Sequence, residues 1–378
     1  MHPLLSFCDA HLDDLVELIE SLVKLESPST DKAAVDRCGA ELEKRLRALG
    51  ADIDFLRRTD RGDHIRARIQ GTGKPVLLLG HFDTVWPVGT LERMPVRRDG
   101  SRLHGPGTFD MKAGIGIAAL AIRALRATGE PHPPLVMLWT TDEEIGSGTS
   151  REAIEAEARQ AAAVLVLEPA LPNGGLKTAR KGCGEFELIV TGRAAHAGVD
   201  PGKGASAIHE LAAQITEIER LQDLTRGLSV NVGVISGGSR PNVVAEEARA
   251  VIDIRAPTNA DAAQIEASIR ALQPRRSGTR LTIRGGFERP PLERTPAVAH
   301  LFSLARDVAS SLGRELTEGS TGGGSDGNFT AALGVPTLDG LGPIGDGAHA
   351  AHEHVDVTAL PWRAALVAGL IGRLVQLG

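Results

Sequence analysis

The sequence predicts an α/β protein in two parts, a discontinuous α/β domain over 1–179 and 292–378 and a smaller α+β domain inserted at 180–291. Three observations carry this reading. "PVLLLG" (75–80), "PLVMLW" (134–139) and "AAVLVL" (162–167) are near-continuous apolar runs of strand length, the texture of strands buried on both faces. Between the first two lies "MKAGIGIAALAIRALRATGE", an Ala-rich helix ended by Gly129, so the runs read as a sheet joined by parallel crossovers. From about 180 to 290 the texture changes to strands that alternate, and after 291 the first texture returns.

Taken in order, the opening "MHPLLSFCDAHLDDLVELIESLVKL" reads as one amphipathic helix. It meets Asp and Glu early and lacks a basic leader and a small-residue cleavage site, so it is not expected to be a signal peptide. Within the insert, "CGEFELIVTG" and "ARAVIDIRAP" alternate like half-solvated strands, with helix-length stretches at 203–221 and 259–273 among them. The order strand, helix, strand, strand, helix, strand fits a ferredoxin-like unit. The chain closes on a helical "LPWRAALVAGLIGRLVQLG".

Composition narrows what such a protein does. With 378 residues and 42% hydrophobic content the chain can bury a large core, and no apolar run reaches the ~20 residues of a membrane span. Net charge −6 with interspersed signs argues against a nucleic-acid partner. Three scattered cysteines, Cys8, Cys38 and Cys183, make neither a disulfide framework nor a thiolate metal site, which points to a reducing, cytoplasmic setting. With no Tyr in the chain, tyrosine catalysis is excluded.

Charge gathers where the apolar runs end. "GHFDTV" puts His81 and Asp83 after the first, "TTDEEIGS" puts Asp142, Glu143 and Glu144 after the second, and Glu168 in "LEPA" follows the third. Asp110, in "GPGTFDMKAG", stands at the start of the Ala-rich helix. Open α/β sheets bind ligands at the carboxyl ends of their strands. Singly, each acid is an ordinary loop or cap residue; together, on one sheet edge, they would repel one another strongly without a cation. Oxygen and imidazole ligands with no thiolate suit Zn²⁺, and also Co²⁺ or Mn²⁺. If the segment after the second strand is extended, Glu143 and Glu144 point opposite ways, so one can bind metal while the other handles a proton. Asp142 is expected to be a structural acid of the loop.

These motifs, in this order, resemble the dizinc metallopeptidases and amidohydrolases that include bacterial glutamate carboxypeptidase, acetylornithine deacetylase and succinyl-diaminopimelate desuccinylase. The likeness covers essentially the whole chain and is strongest to the glutamate carboxypeptidase branch. It implies two Zn²⁺ per subunit, with His81 and Glu168 on one ion, Glu144 and His349 on the other, and Asp110 bridging both. Asp83 would orient the His81 imidazole, Glu143 would be the general base, and the Asp110–Met111 peptide would be cis.

In "GDGAHAAHEH" the resemblance aligns Glu353 with a family Glu and makes His349 the ligand in preference to His352. The insert resembles the family's lid and dimerisation domain, implying a homodimer. "GRAAHAGVDPGKGASAI" places His196 where a histidine, often from the partner subunit, polarises the scissile carbonyl. Asn242, Arg255 and Arg289 match or adjoin substrate-binding positions, Arg being the natural bidentate clamp for a carboxylate. "TGGGSDGNF" matches the family's Gly-rich substrate loop, with Gly323 in it. The function implied is hydrolysis of an amide bond beside a free carboxylate in a small peptide or N-acyl amino acid. A glutamate-carboxypeptidase-like exopeptidase comes first, an N-acyl-amino-acid deacylase second, and a non-catalytic binding relative third.

Overall fold

The apolar runs become the middle of one sheet. The computed structural model describes residues 2–377, so Met1 and Gly378, the outermost residues of the two expected terminal helices, lie outside the described residues. The chain divides into two compact units, the first formed by Met1–Thr178, Arg294–Thr321 and Ser325–Gly378, the second by Ala179–Glu293 with Gly322–Gly324.

The first unit opens with α1 (Pro3–Ala10), α2 (Leu12–Val23) and α3 (Lys32–Ala48). The expected single first helix is thus two, broken at His11, whose ring stacks on Phe7 at 4.0 Å. Then follow β1 (Asp52–Leu56), β2 (His64–Ile69), β3 (Val76–His81), α4 (Ala113–Thr128), β4 (Leu135–Thr140), α5 (Arg151–Gln160) and β5 (Ala163–Val166). β3 lies between β4 and β5 and is parallel to both, while β1 and β2 add an antiparallel edge beyond β4.

Every residue of β3, β4 and β5 is buried. Val76, Leu78, Met137, Trp139 and Leu165 enter a core with α2 and α4, whereas Leu77, Leu79, Leu138 and Val166 pack with Ile154 and Ala158 of α5. Two apolar faces explain why these strands read as unbroken runs. Each such Val or Leu contributes about 1.5–3 kcal/mol relative to exposure. α4 ends at Gly129 as expected. Its first turn lies so close to the chain beyond β5 that a Cβ on Gly114 would sit 2.1 Å from the Leu167 carbonyl oxygen. Glycine at that point lets the start of α4 and the end of β5 share one sheet edge.

The second unit runs β6 (Gly182–Thr191), α6 (Ala207–Glu219), β7 (Ser229–Gly237), β8 (Glu247–Ala256), α7 (Asn259–Arg270) and β9 (Arg280–Arg289). Its sheet order is β7-β8-β6-β9, all antiparallel, which is the ferredoxin-like arrangement. Burial alternates along β6 and β8, with Phe186, Leu188, Val190, Ala250, Ile252 and Ile254 facing the helices. Ser206 and Thr258 cap α6 and α7 through their hydroxyls.

The chain returns to the first unit with α8 (Pro296–Ser311), α9 (Gly327–Ala332), β10 (Thr337–Leu338) and α10 (Leu360–Arg373). β10 extends the main sheet, parallel to β5. A small antiparallel sheet of Arg97–Asp99, Arg102–His104, Gly345–Asp346 and His354–Asp356 frames the turn that carries His349.

Candidate metal centre

Three neighbouring parallel strands deliver the site. His81 is the last residue of β3, Glu143 and Glu144 lie just past β4, and Glu168 lies two residues past β5. Asp110 sits in the kinked turn Thr108–Lys112 before α4, where Asp110 and Met111 leave helical φ/ψ and the peptide between them is cis, as expected. Gly80 makes room for that turn, since a Cβ there would lie 2.4 Å from the Met111 methyl. His349 comes from the return segment with a left-handed φ of 60°.

The side chains converge from both directions on Asp110. His81 Nε2 lies 3.3 Å from Asp110 Oδ1 and 3.4 Å from Glu168 Oε1. On the other side His349 Nε2 lies 3.4 Å from Asp110 Oδ2 and 3.0 Å from Glu144 Oε2. Asp110 therefore offers one oxygen to each imidazole. The ligand atoms of His81, Glu143 and Glu168 lie within 4.8 Å of one another, as do those of His81, Asp110 and Glu144.

Asp83 is fully buried behind this cluster. Its Oδ1 lies 3.3 Å from His81 Nδ1, and its oxygens accept from the Glu143 N–H (3.4 Å), the Glu144 N–H (3.3 Å) and the Ser29 hydroxyl (2.6 Å). The segment Glu143–Ile145 is a 3₁₀ turn, not the expected extended chain. Its N–H groups wrap the Asp83 carboxylate, which an extended segment could not do with two successive amides. The two glutamates still separate, Glu143 toward His81 and Glu168, Glu144 toward Asp110 and His349. Asp142 accepts the Thr149 N–H at 2.6 Å and the Thr149 hydroxyl at 2.7 Å, as a loop acid should.

The electrostatics favour a cation. Burial would depress the His81 imidazole, yet Asp110, Asp83 and Glu168 hold its pKa well above the usual histidine value. Asp110 and Glu144 draw His349 up to about 10. Burial opposes ionisation of Asp110, but the two imidazoles hold its carboxyl well below the usual range. Burial raises Glu144, with Asp110 adding to the rise and His349 opposing it. A field that loads protons onto imidazoles also attracts a divalent ion, which displaces those protons and takes the ring nitrogens as ligands. Glu144 Oε1 is buried with no hydrogen-bond partner among the described residues, an oxygen that a cation would satisfy. The donor set of imidazole and carboxylate fits zinc and related ions.

The matches to known proteins agree with the geometry. Residues 77–373 match the peptidase family M20/M25/M40. The chain belongs to that family. Among its relatives, carboxypeptidase G2 of a Pseudomonas species is 30% identical over 94% of this chain and 88% of its own length. Succinyl-diaminopimelate desuccinylase of Stenotrophomonas maltophilia is 32% identical over 96% of this chain and 98% of its own. In structure, aminopeptidase PepT from Bacillus cereus superposes with a TM-score of 0.81 at 24% identity, covering 96% of this chain and 98% of its own. The M20 metallo-carboxypeptidase Sso-CP2 from Sulfolobus solfataricus does so with 0.72 at 17%, covering 96% and 99%. The chain is thus a metallohydrolase of the M20 peptidase and amidohydrolase kind, in a family that depends on metal. No helix among the described residues is long and apolar enough to cross a membrane.

The other residues singled out by sequence lie in the second unit. His196 is exposed, and its Nδ1 accepts the Gly198 and Val199 N–H groups, each at 3.1 Å. Asn242 is exposed and Arg289 buried. The Arg255 guanidinium is engaged by Asp253 through two contacts, of 2.9 and 2.6 Å. The Gly323 carbonyl accepts from Arg180 at 3.1 Å. His352, in the first unit, is exposed, with its Nε2 3.8 Å from Asp346 Oδ2, and it belongs to neither group of ligand atoms. Sequence reasoning missed Ser29, which holds Asp83, and used Glu353 only to set an alignment; neither has a local signal, because each acts across more than fifty positions of chain.

Proposed function

We propose that the chain hydrolyses an amide bond beside a free α-carboxylate, as a glutamate-carboxypeptidase-like exopeptidase with two zinc ions per subunit. The observation that carries this is Asp110, with one oxygen facing His81, whose ring also meets Glu168, and the other facing His349, whose ring also meets Glu144. In this reading His81 and Glu168 would hold one ion, His349 and Glu144 the other, and Asp110 would serve both. Ions bound there would supply Lewis acidity toward water and the scissile carbonyl.

The chain's own residues do the rest. Glu143 takes a proton from the attacking water and delivers it to the leaving amine, a role supported by its place within 4.8 Å of the His81 and Glu168 ligand atoms. Asp83 holds the His81 ring through Nδ1 and fixes the 3₁₀ turn that presents both glutamates. His196 accepts at Nδ1, which leaves Nε2–H as donor to the substrate carbonyl. Arg289, Arg255, Asn242 and the Gly323 loop bind the substrate carboxylate and neighbouring polar groups, Arg255 by exchanging Asp253 for it.

The second unit serves as lid and as the surface of a homodimer. Support comes from the edge strand β7, where Val234 and Ile235 are 59% and 64% exposed, a row suited to isologous strand pairing. The reaction is placed in the cytoplasm, in keeping with three free cysteines. A deacylase is the second reading, favoured by the desuccinylase relatives. Zinc-loaded protein offered glutamyl peptides, N-acylglutamates, N-acetylornithine and N-succinyl-diaminopimelate separates the two. Release of glutamate from the first group with little turnover of the last two is the expected result, and the reverse preference would overturn the exopeptidase reading.

A further inference from the structure

We infer that Glu353 is a positioning residue for the metal-binding side chains, locking the Asp110 loop, the His349 turn and the segment beyond Asp83 into one frame. This rests on the reading that Asp110 and His349 hold metal. The carboxylate is fully buried. Its Oε1 accepts the Phe109 N–H at 2.9 Å and the Asp110 N–H at 3.1 Å. Its Oε2 accepts the Gly107 N–H at 2.9 Å and the Trp86 indole N–H at 2.8 Å. Trp86 lies three residues past Asp83, so one side chain grips both loops that bear on His81.

Its backbone grips the third segment. The Glu353 N–H donates to the Ala350 carbonyl at 2.9 Å, and the Ala350 N–H to the Gly347 carbonyl at 2.9 Å, closing the turn around His349. The Gly105 N–H donates to the Glu353 carbonyl at 3.4 Å. A buried carboxylate is strongly unfavourable unless its oxygens are filled, and here four N–H donors fill them. The arrangement also dictates the residue type. Both oxygens face pairs of N–H donors, so both must be acceptors; a glutamine of the same size would turn an NH₂ group toward one pair. Repulsion there would release either the Asp110 amide or the Trp86 indole, and with it the alignment of Asp110 against His349.

Glu353→Gln tests this on the metal-free and the zinc-loaded protein. The account expects the metal-free variant to keep its circular dichroism while the amides of Gly107, Phe109 and Asp110 exchange faster with solvent. Zinc affinity, read by competition with a chromophoric chelator, should fall roughly 10–100-fold, the scale seen when partners of ligands are lost. At saturating zinc, kcat should fall with KM little changed. A variant with lower Tm but unaltered zinc affinity and kcat would reduce Glu353 to a structural pin and overturn the inference. Should Glu353→Gln fail to fold, Trp86→Phe decides, because it removes one donor and leaves the carboxylate. Weakening of zinc binding by roughly 3–10-fold is then expected, and unchanged binding overturns the inference. Wild-type protein that binds no zinc would overturn the metal reading and this inference together.

Discussion

In the first unit β3, β4 and β5 are buried along their whole length and release charge only past their carboxyl ends. In the second unit β6, β8 and β9 carry charge along the strands themselves, on the face away from the helices. The two regions then dispose of that charge differently. Arg249 pairs with Glu247 at 2.8 Å and Glu187 at 3.6 Å, Arg284 with Glu187 at 3.7 Å, and Arg255 with Asp253. Among the described residues, the ion-pair partners of Asp110 and Glu144 are imidazoles. Acids matched by arginine on a solvated face need nothing more, whereas buried acids facing one another and two histidines call for a cation from outside.

The sharpest way to break this contrast is Glu143→Gln. Turnover should fall ~10²–10⁴-fold while zinc content, measured by atomic absorption, stays at the wild-type level. Loss of zinc instead would move Glu143 into the ligand set beside His81 and Glu168. Next come His349 and His352 of the return segment. His349→Ala should weaken zinc binding by more than ~100-fold, beyond the usual loss for an indirect partner, and His352→Ala should leave it unchanged; equal effects would erase the distinction that the geometry draws.

A smaller effect is expected from an acid that the second unit buries deeply. Glu210 is fully buried and accepts the Arg275 N–H at 3.0 Å, the Arg276 N–H at 2.7 Å and the Gln214 amide at 2.6 Å. Burial would raise its pKa, but Gln214, the two backbone amides and Thr279 hold it below the usual glutamate value. Glu210→Ala should cost about 1–3 kcal/mol, seen as a lower Tm. Because the folded pKa is depressed, that stability is fully present above the unfolded value of about 4.3 and is lost as pH falls through the folded one. The gap in Tm between wild type and variant should therefore hold from pH 6 to 8 and close in acid. A gap that widens in acid would contradict the assignment. Least of all should Arg249→Ala matter, an exposed pair whose loss should leave Tm unchanged in physiological salt.

What could be read from the chain follows the same contrast. β3, β4 and β5 were legible because burial on two faces leaves an unbroken apolar run. β1, "DIDFL", was not, since an exposed antiparallel edge strand alternates and carries acids. In the second unit β6, β8 and the two helices were legible from period-two and helical spacing, but the membership of Gly322–Gly324 in it was not, being a matter of chain return. At the site, His81, Asp110, Glu143, Glu144, Glu168 and His349 could each be named from motifs, and their pairing around Asp110 came from the family resemblance and not from spacing, which does not say which side chains meet. The turn at Glu143–Ile145 was misread because its shape is set by Asp83, sixty residues earlier in the chain, through two amides. The pairing of Arg255 with Asp253, two positions away on one strand face, was open to sequence reasoning and went unused.

The most direct measurement is the number of zinc ions bound per chain when metal-free protein is titrated with zinc and followed by calorimetry. The account predicts two tightly bound ions in the wild type, with Asp110→Ala losing tight binding at both positions because one carboxylate serves both. A wild-type stoichiometry of one or none, or two ions retained at full affinity by Asp110→Ala, would contradict it.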